Sequence, residues 1–443
     1  MILPSVYTVC LALVLGIALI VILSTRFRLH PFFSLFIACF VTGSIGGLEL
    51  ATILGSMKEG LGKIISALGF IIVLGTVLGM VLQASGATTV MANTIIQWVG
   101  RKRPALANSL TGFVVGLPIF CDSGYVVLSG LNKSMIQKTG LPAVMLSTAL
   151  ATGLYAVHCF IPPHPGVTSA TGTFNAHFGK VILYGLIPAV PAMLAGYFWA
   201  IKKGKWEKKK NEESQEATPS AILLPGRLAS FLPVMVPILL ISFKDIVGGF
   251  SFAGFQLPKS ALIIGEPAIA LAIGLLLALP LLKKKDIPLQ KLFHDGIEKD
   301  GGILIVIGAG SAFGAVIGSL KIQEYLAGME GLSTLGLFFP FLLTAILKTA
   351  QGSSTVAIIT AASIVLPFLP SLQLDSENGR ILAVLAMGAG SMAISHVNDA
   401  YFWVISNFSE IELKQMFRVY SLATVWMALT GMVVVYLLSL FIL

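Results

Sequence analysis

The sequence runs to 443 residues, 56% of them hydrophobic and only 11% charged, where a soluble domain carries about a quarter charged residues. A mean hydropathy of +0.91 excludes an ordinary water-soluble fold. The net charge of +9 comes with no DNA- or RNA-reading motif, and the basic residues cluster in a few loops, so no nucleic-acid partner is expected.

Between the charged clusters lie apolar runs of roughly 18 to 27 residues, long enough to cross about 30 Å of hydrocarbon as helix. Backbone groups in lipid must pair internally, which makes the runs helices. The short alternating segments of a transmembrane barrel are absent. The expected fold is an all-α polytopic membrane protein with about ten transmembrane helices and two re-entrant hairpins. In chain order, spans fall near 4–24, 31–52 and 64–85, followed by an amphipathic stretch at 88–99. A broken run at 104–136 is interrupted around Cys121-Asp122-Ser123-Gly124, and the next, from 142, breaks at Pro162-Pro163-His164-Pro165-Gly166. A span at 179–201 closes the first half. Residues 202–226 are rich in Lys, Glu, Ser, Thr and Pro and read as a solvated cytoplasmic linker. Beyond it come spans near 228–249 and 260–282, an amphipathic piece at 286–300 and a span near 302–320. A broken run at 333–370 is interrupted at Gln351-Gly352-Ser353-Ser354, a discontinuous span at 381–407 breaks at Asn398-Asp399, and the last span is 418–443.

The basic clusters at 26–30, 101–103, 202–210 and 283–285 belong on the cytoplasmic side. With 104–136 and 333–370 as re-entrant hairpins, all four fall on that side and both termini lie outside. The first apolar run has no basic n-region or cleavage site and is expected to stay as a span. Cys10, Cys39, Cys121 and Cys159 lie within apolar segments without metal-ligand spacing, so neither a disulfide framework nor a metal is expected.

The halves 1–201 and 227–443 resemble each other. Gly75-Thr76-Val77-Leu78-Gly79 aligns with Gly310-Ser311-Ala312-Phe313-Gly314, the break at 121–124 with that at 351–354, and Ala156-Val157-His158 with Ile394-Ser395-His396. Five spans and a hairpin per half invert the second half relative to the first, the plan of many secondary transporters.

Charge at membrane depth is costly and marks function. Asp122, His158, His164, Lys348, His396 and Asp399 all sit at the helix interruptions. Broken helices in corresponding positions point to a solute site at the bilayer midplane. Free N–H groups at restarted helices, at Ser123, Gly124, Gly352, Ser353, Ser354 and Thr355, suit a carboxylate. Lys348 is expected to offset its charge and Asn398 to bond hydroxyls, with His158 and His164 lining the site. Asp122, Asp399 and His396 are the candidates for proton coupling. Plainer roles stand beside these: packing for Gly75, Gly79, Gly310 and Gly314, a carbonyl partner for His158 and His396, a wet loop for His164, snorkelling for Lys348, and a helix cap for Asp399.

The stretch His158-Cys159-Phe160-Ile161-Pro162-Pro163-His164-Pro165-Gly166, with Gly308-Ala309-Gly310, Ala350-Gln351-Gly352-Ser353-Ser354-Thr355-Val356-Ala357 and Val397-Asn398-Asp399-Ala400-Tyr401-Phe402-Trp403, resembles the gluconate permease family of proton symporters in the ion transporter superfamily. The resemblance covers nearly the whole chain. It implies a multi-pass protein of the bacterial inner membrane and proton-coupled uptake of gluconate or a related sugar acid. In some members the solute is a D-amino acid such as D-serine; sodium is the alternative coupling ion. It also implies a homodimer whose hairpin-bearing domain moves like an elevator. No cofactor is expected. Many relatives carry Arg where this chain has Lys348, which lacks the planar fork of guanidinium. A channel would need a filter motif or a charge ring, and an intramembrane enzyme a nucleophile or aspartyl context; the sequence has neither.

Overall fold

The computed structural model describes residues 6–99, 103–205, 224–249, 262–283, 288–321 and 334–443, and every regular element in them is helical. Most of the linker, at 206–223, lies outside the described residues, as do Arg101, Lys102, Lys284, Lys285 and the side chain of Cys10. Helix α1 (Val6–Thr25) turns through Arg28 into α2 (Pro31–Ile45), which starts on Pro31 and is capped by His30 Nδ1 accepting from the Phe32 N–H. Helices α3 (Leu50–Ser85) and α4 (Ala87–Val99) come next. The first hairpin is α5 (Pro104–Gly116) and α6 (Cys121–Thr139). After it come α7 (Ala143–Phe160), α8 (Pro165–Thr173), α9 (Phe178–Gly204), α10 (Arg227–Gly249), α11 (Pro267–Ala278) and α12 (Leu289–Ser319). The second hairpin is α13 (Phe338–Gln351) and α14 (Ser354–Val365), succeeded by α15 (Glu377–Gly390), α16 (Ala400–Phe408) and α17 (Leu413–Ile442).

Among the described residues six helical stretches are long and apolar enough to cross a membrane: α3, α7 with α8, α9, α10, α12 and α17. Helices α1, α2, α11, α13 and α14 are apolar but shorter. Two expected boundaries are absent. The span expected to start at 64 begins at Leu50, in one helix of 36 residues that reaches about 54 Å at 1.5 Å per residue. The amphipathic piece and the span at 286–320 form a single helix of 31 residues. Charge on one face changes what a helix touches without breaking its backbone bonds. Lys58, Glu59 and Lys63 are exposed on α3, and the spacing of Glu59 and Lys63 is itself helix-compatible. The opposite stripe, Ile53, Met57, Gly60, Ile64 and Leu68, is buried.

That stripe packs on α12: a Cβ on Gly60 would stand 2.5 Å from the Ser311 carbonyl oxygen. The aligned glycine segments lie on these two helices, and each serves one hairpin. A Cβ on Gly79 would meet the Pro118 oxygen of the first hairpin at 2.5 Å, and one on Gly310 would meet Ile359 Cγ2 of the second at 2.6 Å. Close packing is therefore their role. Helix α7 lies at the centre, buried from Val144 to Phe160. It packs on α5 and α9, while α15 packs on α13 and α17, and α9 packs on α17. The second hairpin arms cross over: α14 packs on α8, and α6 on α16. The third aligned pair does not share local structure, since Ala156-Val157-His158 is helical and Ile394-Ser395-His396 is not.

Contact between α5 and α7 is backbone to backbone. A Cβ on Gly153 would lie 2.0 Å from the Ser109 oxygen and 2.8 Å from the Phe113 nitrogen. Gly153→Ala is expected to cost about 1–3 kcal/mol through overpacking, whereas Gly62→Ala, with nothing within 4 Å of the new methyl group, leaves the thermal unfolding midpoint in detergent unchanged or slightly raised.

Candidate functional site

Four helix interruptions, each with a local cause, build the site. In the first hairpin the chain turns through Leu117 and Pro118 before α6 restarts at Cys121, a few residues earlier than the break expected at 121–124. After α7 the cis-linked Pro162-Pro163 supplies no N–H, and Pro165 opens α8 at the first helical position. In the second hairpin Gly352 has φ +82, and a Cβ there would fall 2.1 Å from the Asn398 oxygen, so only glycine fits. Ser353 then caps α14, its hydroxyl accepting from the Val356 N–H at 3.3 Å. Between α15 and α16 the chain is non-helical until Asp399 Oδ1 accepts from the Tyr401 N–H at 3.0 Å.

The N-terminal ends of α6, α8, α14 and α16 open onto one cavity of about 320 Å³. Its wall takes Phe120, Cys121 and Asp122 from the first hairpin, Pro165 from α8, Gln351, Gly352, Ser353, Ser354 and Thr355 from the second, and Asn398, Asp399, Ala400 and Tyr401 from the last break. Tyr155, His158 and Ile303 complete it. A helix N-terminus carries roughly half a positive charge and N–H groups beyond the ones that Ser353 and Asp399 accept from, so four converging on one cavity favour an anion. Among the described residues no His, Cys, Asp and Glu cluster could hold a metal.

The carbonyl ends of the broken helices, by contrast, are satisfied from within. His164 Nε2 donates to the Gly116 oxygen at the end of α5, at 3.0 Å. His396 Nε2 and Asn398 Nδ2 donate to the Thr349 oxygen at 3.0 and 2.8 Å, and Asn398 also to the Ala350 oxygen at 3.1 Å. In each half, then, a histidine from the break after the hairpin holds the end of the hairpin's first arm. His164, and not His158, makes the same kind of bond as His396.

Lys348 neither snorkels nor lines the cavity. It is 0% exposed, and its ammonium donates to Asp399 Oδ2 at 2.6 Å and to the Gly352 oxygen at 2.5 Å, 6.0 Å from the centre of the Tyr155 ring. Asp399 also accepts from the Ser395 hydroxyl at 2.5 Å. This buried pair ties the second hairpin tip to the start of α16. His158, on the cavity wall, has Nε2 3.2 Å from Thr355 Oγ1 and its ring 4.9 Å from that of His164. Ser123 and His164 line a separate pocket with Thr76 and Gln83. At about 20 Å³ it has room for one water. Gly124 packs against Leu154, and His396 stands outside the lining. Sequence reasoning passed over Gln351, Tyr155, Tyr401 and Phe120. Gln351 lies within the motif at the second hairpin, and an amide at membrane depth is itself a signal; the aromatic residues carry none, because every apolar helix contains some.

Three comparisons bear on this geometry. The family model described as GntP family permease matches residues 8–441. The chain is 32% identical over 450 residues to the gluconate permease of Pseudomonas aeruginosa, covering 97% of each. It is 29% identical to the Gnt-II system L-idonate transporter of Escherichia coli K12, over 94% of this chain and 96% of that one. To the D-serine transporter DsdX of Escherichia coli O6:H1 it is 28% identical, over 96% and 97%. Among solved structures it is similar in fold to the YdaH transporter of Alcanivorax borkumensis, with a TM-score of 0.60, 14% identity and 88% of each chain covered.

Removing one partner of a buried ion pair strands the other. Lys348→Met is expected to destabilise the protein by about 3–5 kcal/mol, and Lys348→Met with Asp399→Leu to recover most of that loss. Thermal unfolding of the two variants beside the wild type measures both.

Proposed function

The chain belongs to the GntP permease family, and from that membership we propose that it carries gluconate or a related small sugar acid into the cell together with a proton. The protein is a membrane transporter and not an enzyme. The observation that carries the reading is the convergence of four helix N-termini on one cavity. A carboxylate there meets N–H groups and dipole ends that no side chain has to supply.

Coupling is assigned to the acids on the same wall. Asp399 is engaged by Lys348, Ser395 and the Tyr401 N–H. Asp122 lies in the first turn of α6 and faces the space the solute occupies. Two like charges about 4 Å apart repel by about 4 kcal/mol at an effective dielectric of 20. Protonating Asp122 removes that repulsion, so solute and proton load together. Asp122 is the coupling site in this reading, Asp399 holds the architecture, and His396 serves as a clamp. The relative named as a D-serine transporter favours a second reading, a D-amino acid as solute in the same cavity.

The wider plan is an inverted repeat of 1–201 and 227–443 joined by 202–226. It is supported by the reciprocal packing of α14 on α8 and α6 on α16, and by the matched clamps of His164 and His396. The protein works as a homodimer in the bacterial inner membrane with both termini outside. The unit bearing the two hairpins moves against α3 and α12 to expose the cavity to each side in turn.

Uptake of labelled gluconate into proteoliposomes tests this. An inward proton gradient is expected to drive accumulation, unlabelled sugar acids to compete, and D-serine to compete weakly. Asp122→Asn is expected to abolish the dependence on the gradient while gluconate exchange persists. Wild-type pH dependence in that variant removes Asp122 from the role, and accumulation driven by sodium alone replaces the proton as coupling ion.

A further inference from the structure

Two side chains on the cavity wall hold buried polar atoms with no hydrogen-bond partner among the described residues: both Oε1 and Nε2 of Gln351, and Nδ1 of His158. Their surroundings are otherwise tied down. The Thr349 and Ala350 carbonyls just before Gln351 are held by His396 and Asn398, and the Gly352 N–H just after it donates to the Lys348 oxygen at 2.8 Å. His158 Nε2 is engaged by Thr355 Oγ1, and its ring stacks on Tyr155 at 6.4 Å. Among the described residues, Gln351 is the one for which both donor and acceptor are orphaned. Burying an amide this way is penalised, and an apolar residue of the same shape would avoid the penalty.

We infer that Gln351 and His158 are the side chains that read the hydroxyl groups of the solute in this cavity. The inference rests on the proposed transport of a small carboxylate and specifies the chain attached to that carboxylate. Each hydroxyl both donates and accepts, so neighbouring hydroxyls pair with Oε1, Nε2 and Nδ1 together. An alkyl chain pairs with none, and an ammonium group donates to Oε1 but leaves Nε2 unpaired. Rotation about the Gln351 side-chain torsions turns the amide from the wall into the cavity when such a chain enters.

The test compares wild type with Gln351→Met, a variant of similar length and no hydrogen-bonding amide. It measures thermal unfolding without solute, and binding of gluconate and of hexanoate, the unhydroxylated six-carbon acid. Wild type is expected to prefer gluconate by a hundredfold or more, roughly the scale set by unpaired buried polar groups. Gln351→Met is expected to unfold no lower than wild type, to bind gluconate about tenfold or more weaker, and to bind hexanoate within about threefold of wild type. A lowered unfolding midpoint, or unchanged gluconate binding in the variant, overturns the inference. Wild type that binds hexanoate as well as gluconate overturns it too, while leaving carboxylate transport standing. Wild type that binds neither acid overturns both.

Discussion

A broken helix at membrane depth frees backbone groups at both of its ends, and water is not there to take them. This protein treats the two ends differently. The carbonyl ends of the hairpin arms are closed by side chains: His164 on Gly116, His396 and Asn398 on Thr349, Lys348 on Gly352. The amide ends of α6, α8, α14 and α16 are turned to a common cavity. The result is a site whose positive polarity comes from helix dipoles, set beside the carboxyl groups of Asp122 and Asp399, with no free cation in the wall formed by the described residues. An anion that leaves such a site does not have to be pulled from a full ammonium or guanidinium charge, which suits a carrier that must release what it binds.

The buried pair of Lys348 and Asp399 shows why a charge in a membrane segment need not face the solute. Its members come from two different interruptions, one in the second hairpin and one before α16, and they join them. Pairing offsets the desolvation of both charges and makes the geometry of the tip dependent on both. A Lys suits this task better than an Arg. One compact ammonium serves a carboxylate oxygen and a backbone oxygen four residues along its own chain, with no call for a planar fork.

Around the site the helices approach through glycine. Gly112 and Gly153 bring α5 and α7 into backbone contact, Gly60 does so for α3 and α12, and Gly185 and Gly388 close on the carbonyls of Phe160 and Cys159. Lipid offers no hydrophobic drive between helices, so close approach and dispersion supply the adhesion. Gly79 and Gly310 in turn set how near the hairpins come to α3 and α12.

What the sequence by itself determined was the helical membrane architecture, the four interruptions and the family. These depend on local features: run length, Pro162-Pro163, Gly352, and polar residues stranded in apolar surroundings. It also singled out half of the cavity wall, including Asp122, His158, Ser354, Thr355, Asn398 and Asp399. Partnership was left to the tertiary structure. Lys348 read as a solute counter-charge because its carboxylate lies 51 positions away, across a separate break. Ser123 and His164 read as neighbours of the solute because their breaks are, yet they line a second, smaller cavity that shares Phe120 with the first. His158 read as the twin of His396 because short motifs align by residue type, whereas the shared task of holding a hairpin end belongs to His164. The boundaries placed near 64 and 302 failed for a related reason. A charged face signals a change of environment, and only backbone chemistry ends a helix.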